Sequence, residues 1–431
     1  MMTKVILGVF LLSNILFGLD DTKQIAFDFR TVYVNYKYDK GFANANALAT
    51  SVKLKYEKEF YKNLTFGIAF ATVQDLGILR YDKSLKRRNM AYLFDKNQDN
   101  YSLLHQLYLR YSYAQSFLEI GRFELETPLI SSNDSFALSN TFEGFHGELK
   151  GLENTILSAG YLTRMSGAWD AAYDGGSFNS MTKQAWAHRA DNGKEKYYNL
   201  VNDLGVKNRG VAFLGLEYAK DAYKIKLYDY LFLDAYNASF GEMSYTLILD
   251  EQKKLLFAGQ LIKYNGVGAL KNNANPDAQA NYATYSAKAE ISDEEFKLKF
   301  AYTGVSDSPS LHFFGTAGGY PEFASGMMIS YFETSLRDAN IFAVSPSLNF
   351  GDDTNRLKLN FNYAYYDLNS DYTKGGIIGD TLLGDAYMHA YGASFKYIYH
   401  KNISWLAKIA QRRLEHGDEN LLFRTIVAYR F

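Results

Sequence analysis

Apolar and polar residues alternate with a period of two along most of this chain. The last segment, Leu421–Phe431 (LLFRTIVAYRF), shows it most cleanly: Phe423, Thr425, Val427, Tyr429 and Phe431 share one face, and Arg424, Ile426, Ala428 and Arg430 share the other. Side chains alternate across a strand, so one face is aromatic and apolar while the other carries cations. The same period predicts 18 strands: Ile25–Tyr38, Thr50–Glu59, Leu64–Val73, His105–Tyr113, Phe117–Arg122, Gly144–Leu149, Thr155–Arg164, Gly210–Tyr218, Tyr223–Leu233, Glu242–Leu249, Leu255–Tyr264, Ala280–Ala289, Phe296–Thr303, Ile341–Phe350, Arg356–Leu368, Tyr387–Tyr399, Ile403–Leu414 and Leu421–Phe431.

The connections alternate in length. Tyr61–Asn63, Ala114–Ser116, Lys150–Asn154, Ala219–Ala222, Asp250–Lys254, Glu290–Glu295, Gly351–Asn355 and His400–Asn402 are short, while Asp75–Leu104, Phe123–Glu143, Met165–Arg209 and Gly304–Asn340 are long. A soluble sheet this wide would leave one face unburied. A strand that is apolar outside and polar inside, with short turns at one end and long loops at the other, belongs to a transmembrane barrel. The expected fold is therefore all-β: an 18-stranded antiparallel transmembrane β-barrel with short periplasmic turns and long extracellular loops. An even strand count puts both termini on the periplasmic side.

Composition sharpens this picture. The 431 residues include 36 Tyr and 31 Phe but only 5 Pro and no Cys, and the formal charge is −1. Such aromatic richness suits girdles at two membrane interfaces. No basic domain points to nucleic acid. Met1–Gly18 (MMTKVILGVFLLSNILFG) reads as a secretory leader, with Lys4 before the apolar Val5–Leu12, which leaves 19–431 as the barrel.

Parity also assigns a lumen face. It points Lys53, Lys55, Arg110, Lys224, Lys226, Lys288, Lys297, Lys299, Lys358, Lys396, Lys408, Arg412 and Arg424 inward, against Asp28, Glu57, Glu119, Glu148 and Glu217. The wall is then more basic than the net charge, and a low-dielectric wall focuses such a field into the channel. Taken singly, each of these cations reads better as keeping a wet wall polar; it is their aggregate that points to anions in the channel. The loop Phe123–Glu143 (FELETPLISSNDSFALSNTFE) is unusual. Pro128 stops a strand, Ser131-Ser132-Asn133-Asp134-Ser135 offers turn chemistry, and Leu129, Ile130, Phe136, Ala137 and Leu138 suit an exposed tip poorly. An inward-folded constriction loop explains these features, and a packed Ω-loop is the alternative.

Gly121-Arg122, Thr127-Pro128, Ser135, Leu138, Thr141 and Gly144 resemble the GR…TP…S…L…T…G segment of the OprD-type substrate-selective porins of Gram-negative outer membranes. Ala222–Leu249, with Leu233-Asp234 and Tyr236, resembles that family's central strand pair, and Trp405–Phe431 its last hairpin. The resemblance implies a passive outer-membrane channel for small hydrophilic solutes, narrowed by a loop and guided by a ladder of basic residues that favours carboxylates. Arg424, Lys408 and Lys396 match ladder positions, with Arg412, Arg110 and Lys299 as further inward cations. Arg122, Glu124, Thr127, Pro128 and Ser131–Phe136 map to the constriction. Ala410, Asn362 and Phe136 stand where the family tends to have arginine, so this ladder is thinner. Two other functions fit a barrel: an unselective diffusion porin, or an adhesin displaying Met165–Arg209 with Trp169 and Trp186.

The expected partners are solutes, the bilayer with lipopolysaccharide, and the barrel assembly machinery through the last strand, with a homotrimer among the assemblies open to the chain. The scattered His105, His146, His188, His312, His389, His400 and His416 show no metal-ligand spacing. No catalytic residue, metal or cofactor is expected. Asp191-Asn192-Gly193 and Asp352–Asn355 read as turns rather than Ca²⁺ sites, and Lys86-Arg87-Arg88 as a solvated run or a lipopolysaccharide contact.

Overall fold

The computed structural model describes residues 24–38, 45–79, 93–95, 97–132, 136–166, 177–182, 186–191, 194–207, 209–273, 279–308, 310–313, 317–325, 332–368, 386–414 and 419–431. The leader Met1–Gly18, Lys86-Arg87-Arg88, Asn133-Asp134-Ser135, Trp169, Asn192-Gly193 and His416 lie outside the described residues.

All 18 expected strands form. They are β1 Ile25–Tyr38, β2 Ala45–Tyr61, β3 Leu64–Gln74, β4 Tyr101–Tyr113, β5 Ser116–Phe123, β6 Thr141–Leu152, β7 Thr155–Ser166, β8 Val211–Lys220, β9 Tyr223–Phe232, β10 Tyr236–Ile248, β11 Lys254–Gly266, β12 Asn281–Ser292, β13 Phe296–Val305, β14 Asn340–Gly351, β15 Asn355–Leu368, β16 Ala386–Tyr399, β17 Ile403–Leu414 and β18 Glu419–Arg430. Neighbours pair antiparallel throughout, and β1 closes on β18 from Asp28↔Arg430 to Tyr38↔Asn420. Several strands run past their expected ends. The clearest is β10: Tyr236–Gly241 (YNASFG) carries turn-forming residues, yet pairing on both sides, with Phe232 and with Gly266, holds it extended.

The short connections share one end with Ile25 and Phe431. They are tight turns with left-handed residues at Asn63, Ala114, Asn154 and Asp221, and at both His400 and Lys401. Asp250 and Asp352 accept backbone N–H bonds within their own turns, which holds each carboxyl below its usual range.

Outward positions form a broad apolar belt: Phe70, Leu118, Ile120, Leu214, Leu261, Phe300 and Phe342 are each more than half exposed. Lipid, not water, is the solvent such a belt requires. The inner wall differs from a plain polar lining at its long-loop end. There, stacked rings line β9–β12: Phe232 on Tyr236 at 4.3 Å, Tyr236 on Phe313 at 3.8 Å and Tyr264 on Tyr282 at 4.4 Å. Phe313 belongs to His312–Phe313, a short strand that pairs with Trp186–Asp191, which in turn pairs with Lys194–Asn199. Long loops thus fold into the barrel mouth and bury aromatic area against the wall.

Candidate functional site

The strand–loop junction before the constriction depends on one glycine. Gly121 has φ +126°, and a Cβ there would sit 2.1 Å from the Leu107 carbonyl oxygen. Only glycine lets β4 and β5 approach this closely with that backbone. The next residue, Arg122, donates to Glu143 at 2.9 Å and to the Leu104 carbonyl at 3.3 Å, which pins both ends of the loop together. Thr127 donates to the Ile130 carbonyl at 2.9 Å, closing the turn over Pro128.

The loop between β5 and β6 then crosses the lumen. On one side, Arg30 of β1 donates to the Phe136 carbonyl at 2.9 Å, Arg424 of β18 lies over the Phe136 ring at 4.5 Å, and Ser51 of β2 donates to the Ala137 carbonyl at 2.5 Å. On the other, the Leu129 amide donates to the Tyr230 hydroxyl on β9 at 3.4 Å. A segment that touches β1, β2 and β18 at one end and β9 at the other spans the pore. Ile130, Phe136 and Ala137 are almost fully buried. Burial of the apolar residues that suited an exposed tip so poorly is the driving force. The inward-loop expectation thus agrees with the geometry: Glu124, Thr127, Pro128, Ser131, Ser132 and Phe136 lie in the crossing segment, and Arg122, near the end of β5, ties its two ends.

Glu124 anchors the same loop. It receives Lys53 at 3.1 Å and the Ser139 hydroxyl at 2.5 Å. Shielding from water opposes its ionisation, but Lys53 and the Ser139 hydrogen bond hold the carboxyl down at about 2. A β-bulge adds a further tether. The pairing of β3 with β4 skips His105 between Gln106 and Leu104, and the displaced ring meets the Ser139 carbonyl at 3.0 Å.

A second loop enters the lumen, which the sequence pattern did not indicate. Within the long connection from β13 to β14, Gly318 bridges Ile130, and a Cβ on Gly319 would lie 2.3 Å from the Pro128 carbonyl oxygen. Gln260 donates to the Pro321 carbonyl at 3.0 Å, Lys299 to the Phe323 carbonyl at 3.0 Å, and Lys288 lies over the Phe323 ring at 4.2 Å. The constriction is therefore built by two loops. Apolar Phe323 and Ala324 beside Gly318-Gly319 carried the signal that had singled out Leu129–Leu138.

The inward cations sort into two sets. Over β2–β13 several are ion-paired, Lys55 with Glu57 at 2.8 Å, Arg110 with Glu119 at 3.1 Å, Lys226 with Glu217 at 3.5 Å and Lys297 with Glu290 at 2.8 Å, while Lys288 and Lys299 meet Phe323 of the second inward loop. Glu242 and Glu290 face inward in register with Lys226 and Lys299, so this wall is closer to neutral than parity counting implied. Over β15–β18, Lys358 lies directly opposite Lys396, and Lys408 directly opposite Arg424. Among the described residues, Lys358, Lys396 and Lys408 make no ion pair. Arg412, two positions from Ala410, joins this sector near Asn420. Of the six expected rungs, Lys396, Lys408, Arg412 and Arg424 come together. Arg110 on β4 and Lys299 on β13 sit on other parts of the wall, each already engaged.

The sequence model described as "outer membrane porin, OprD family" matches residues 19–337. Among solved structures, OccK9 (OpdG) of Pseudomonas aeruginosa superposes with a TM-score of 0.73 at 15% identity, over 95% of this chain and 98% of that one. A BenF-like porin from Pseudomonas fluorescens Pf-5 gives 0.71 at 16%, over 95% and 98%. OpdK of Pseudomonas aeruginosa, solved with vanillate, gives 0.69 at 15%, over 95% and 99%. No curated protein matches the chain.

Proposed function

Because this chain belongs to the OprD family of outer membrane porins, we propose that it passes small hydrophilic solutes by passive diffusion and favours those bearing a carboxylate. One observation carries the reading. Lys358–Lys396 and Lys408–Arg424 are like-charge pairs set directly opposite each other on adjacent strands. Such pairs destabilise a sheet, so stability does not account for them. An anion in the lumen does, because it relieves the repulsion. Two unit charges 4 Å apart gain ~1 kcal/mol in water and ~4 kcal/mol at the effective dielectric of a protein surface. Screening limits the reach to ~8 Å at physiological salt, so closely spaced rungs must act together. OpdK was solved with vanillate, an aromatic carboxylate, which supports this solute class for a channel of similar fold. No bond is made or broken in this function; selectivity comes from radius and charge.

The test is the reversal potential in asymmetric KCl. Lys408→Gln with Arg424→Gln should leave a folded barrel, shift preference towards K⁺, and slow small carboxylates more than neutral sugars of similar size. An unchanged reversal potential and carboxylate flux would reduce these cations to wall solvation and leave an unselective porin. A chain that served only as an adhesin would show no conductance at all.

A further inference from the structure

Beside the basic sector lies a recess of about 300 Å³. It opens between the wall of β12–β15 and the second inward loop, which contributes Ser325. Its charged groups are already engaged: Lys297 pairs with Glu290 at 2.8 Å, and Lys299 donates to the Phe323 carbonyl at 3.0 Å. What remains is neutral and hydrogen-bonding. Asn362 donates to Ser345 at 3.0 Å, and Asn360 to Ser394 at 3.0 Å. The Asn362 amide oxygen is buried and has no partner among the described residues. A buried unpaired acceptor costs free energy unless a donor arrives.

Strand register connects this recess to the cations. Ser347 lies opposite Asn360, Asn360 opposite Ser394, Ser394 opposite Lys408, and Lys408 opposite Arg424. One row across five strands thus runs from hydroxyl and amide groups into two positive charges. Strands step by ~4.8 Å, so the neutral stretch from Ser347 to Ser394 covers ~10 Å. A solute whose carboxylate rests on Lys408, with the buried Arg424 behind it adding its field from beneath the Phe136 ring, lays its body over groups that both donate and accept. Hydroxyl groups match that pattern, and an alkyl body does not.

We infer that this row and recess form a subsite for the hydroxylated body of a carboxylate solute, the chemistry of a sugar acid. The inference rests on the reading of the basic sector as a carboxylate guide. It names the other half of the solute.

Gluconate and hexanoate share a six-carbon chain and one carboxylate, and differ in hydroxyl groups. Their permeabilities relative to chloride, from reversal potentials in planar bilayers, should favour gluconate in the unaltered channel. Asn360→Leu with Asn362→Leu should lower the gluconate-to-hexanoate ratio about threefold or more, as loss of one or two hydrogen bonds implies. Ser345→Ala with Ser347→Ala, a milder change, should lower it in the same direction. Lys408→Gln with Arg424→Gln should lower both anions together and keep the ratio. A ratio at or below one in the unaltered channel, or a ratio untouched in conducting Asn and Ser variants, would overturn the subsite while leaving the basic sector intact. Should neither variant insert, block of the chloride current in the unaltered channel decides: gluconate must block at lower concentration than hexanoate, and equal block overturns the subsite.

Discussion

Arg30 and Arg424 hold Phe136 from two directions, one by its carbonyl and one by its ring. Arg30 also lies 3.5 Å from Asp28, which Arg430 reaches at 3.1 Å. Replacing Arg30 with Ala therefore leaves Asp28 partnered but frees the loop from a buried, charge-assisted hydrogen bond. Such bonds contribute about 1.5–3 kcal/mol. The expected outcome is a barrel that still inserts, with larger and noisier single-channel conductance; a quiet channel of unchanged conductance would show that Ser51 and Arg424 hold the loop unaided. Strict alternation puts Lys396, Lys408 and Arg424 on one face of the sheet, and the pairing of their strands keeps them there. Parity passed over Arg30, whose inward neighbours Val32 and Val34 are apolar and pack under the loop instead of facing water. It could not place His105 as the residue left out of register, because an unpaired residue in a bulge obeys no period.

At the scale of elements, strands were legible and loops less so. A strand declares its two faces locally, whereas the path of a long loop depends on which distant walls accept it. The loop Phe123–Glu143 showed itself through its misplaced apolar residues and Pro128. The second inward loop hid the same signal within a longer, more polar connection. Its carboxyl Glu322 is pushed up to about 7 by burial, while the usual value is near 4.5. Below 4.5, Glu322 is neutral whether the loop is seated or displaced. As pH rises from 4.5 to 7, a displaced Glu322 ionises while a seated one resists, so seating weakens across that window and stays weakened above it. Glu124 acts oppositely and in a separate window: its contribution is complete above about 4.5 and disappears as pH falls towards 2. Channels should therefore gate more often at pH 8 than at pH 5, and Glu322→Gln should remove the difference. Identical gating in both proteins at both pH values would show that this carboxyl does not control the loop. Excision of Leu129–Leu138 should raise conductance for all solutes, since it removes the crossing segment and no rung of the basic sector.

At the scale of the molecule, the barrel is one closed circuit, and its seam joins the most distant parts of the chain. Arg430 meets Asp28 across 402 residues of sequence, and Phe431 exchanges backbone hydrogen bonds with Phe27 at 2.8 and 2.9 Å. Contacts this remote carry the largest loop-closure cost, which makes the seam a late event in folding. Until it forms, β1 and β18 both expose unpaired backbone groups, and a bilayer cannot solvate them. The lipid face of β18 supplies the favourable term at that stage: Val427 is 45% exposed, and Phe423, Thr425, Tyr429 and Phe431 share its side of the strand. Changing Tyr429 and Phe431 to Ser keeps the backbone donors and acceptors but removes two aromatic anchors. Deleting Phe431 instead removes the last backbone pair. Both variants should fail to yield the heat-modifiable, outer-membrane form, and their chains should be degraded. A normal heat-modifiable barrel from the Ser variant alone would mean that backbone pairing closes the seam without the aromatic belt. In the unaltered barrel, proteases added to intact cells should cut within Asp75–Leu104 and Met165–Arg209, because those connections lie at the end opposite the seam residue Phe431. Cuts confined to Lys150–Asn154 or Asp250–Lys254 would reverse the barrel in the membrane and place its two-loop constriction towards the periplasm.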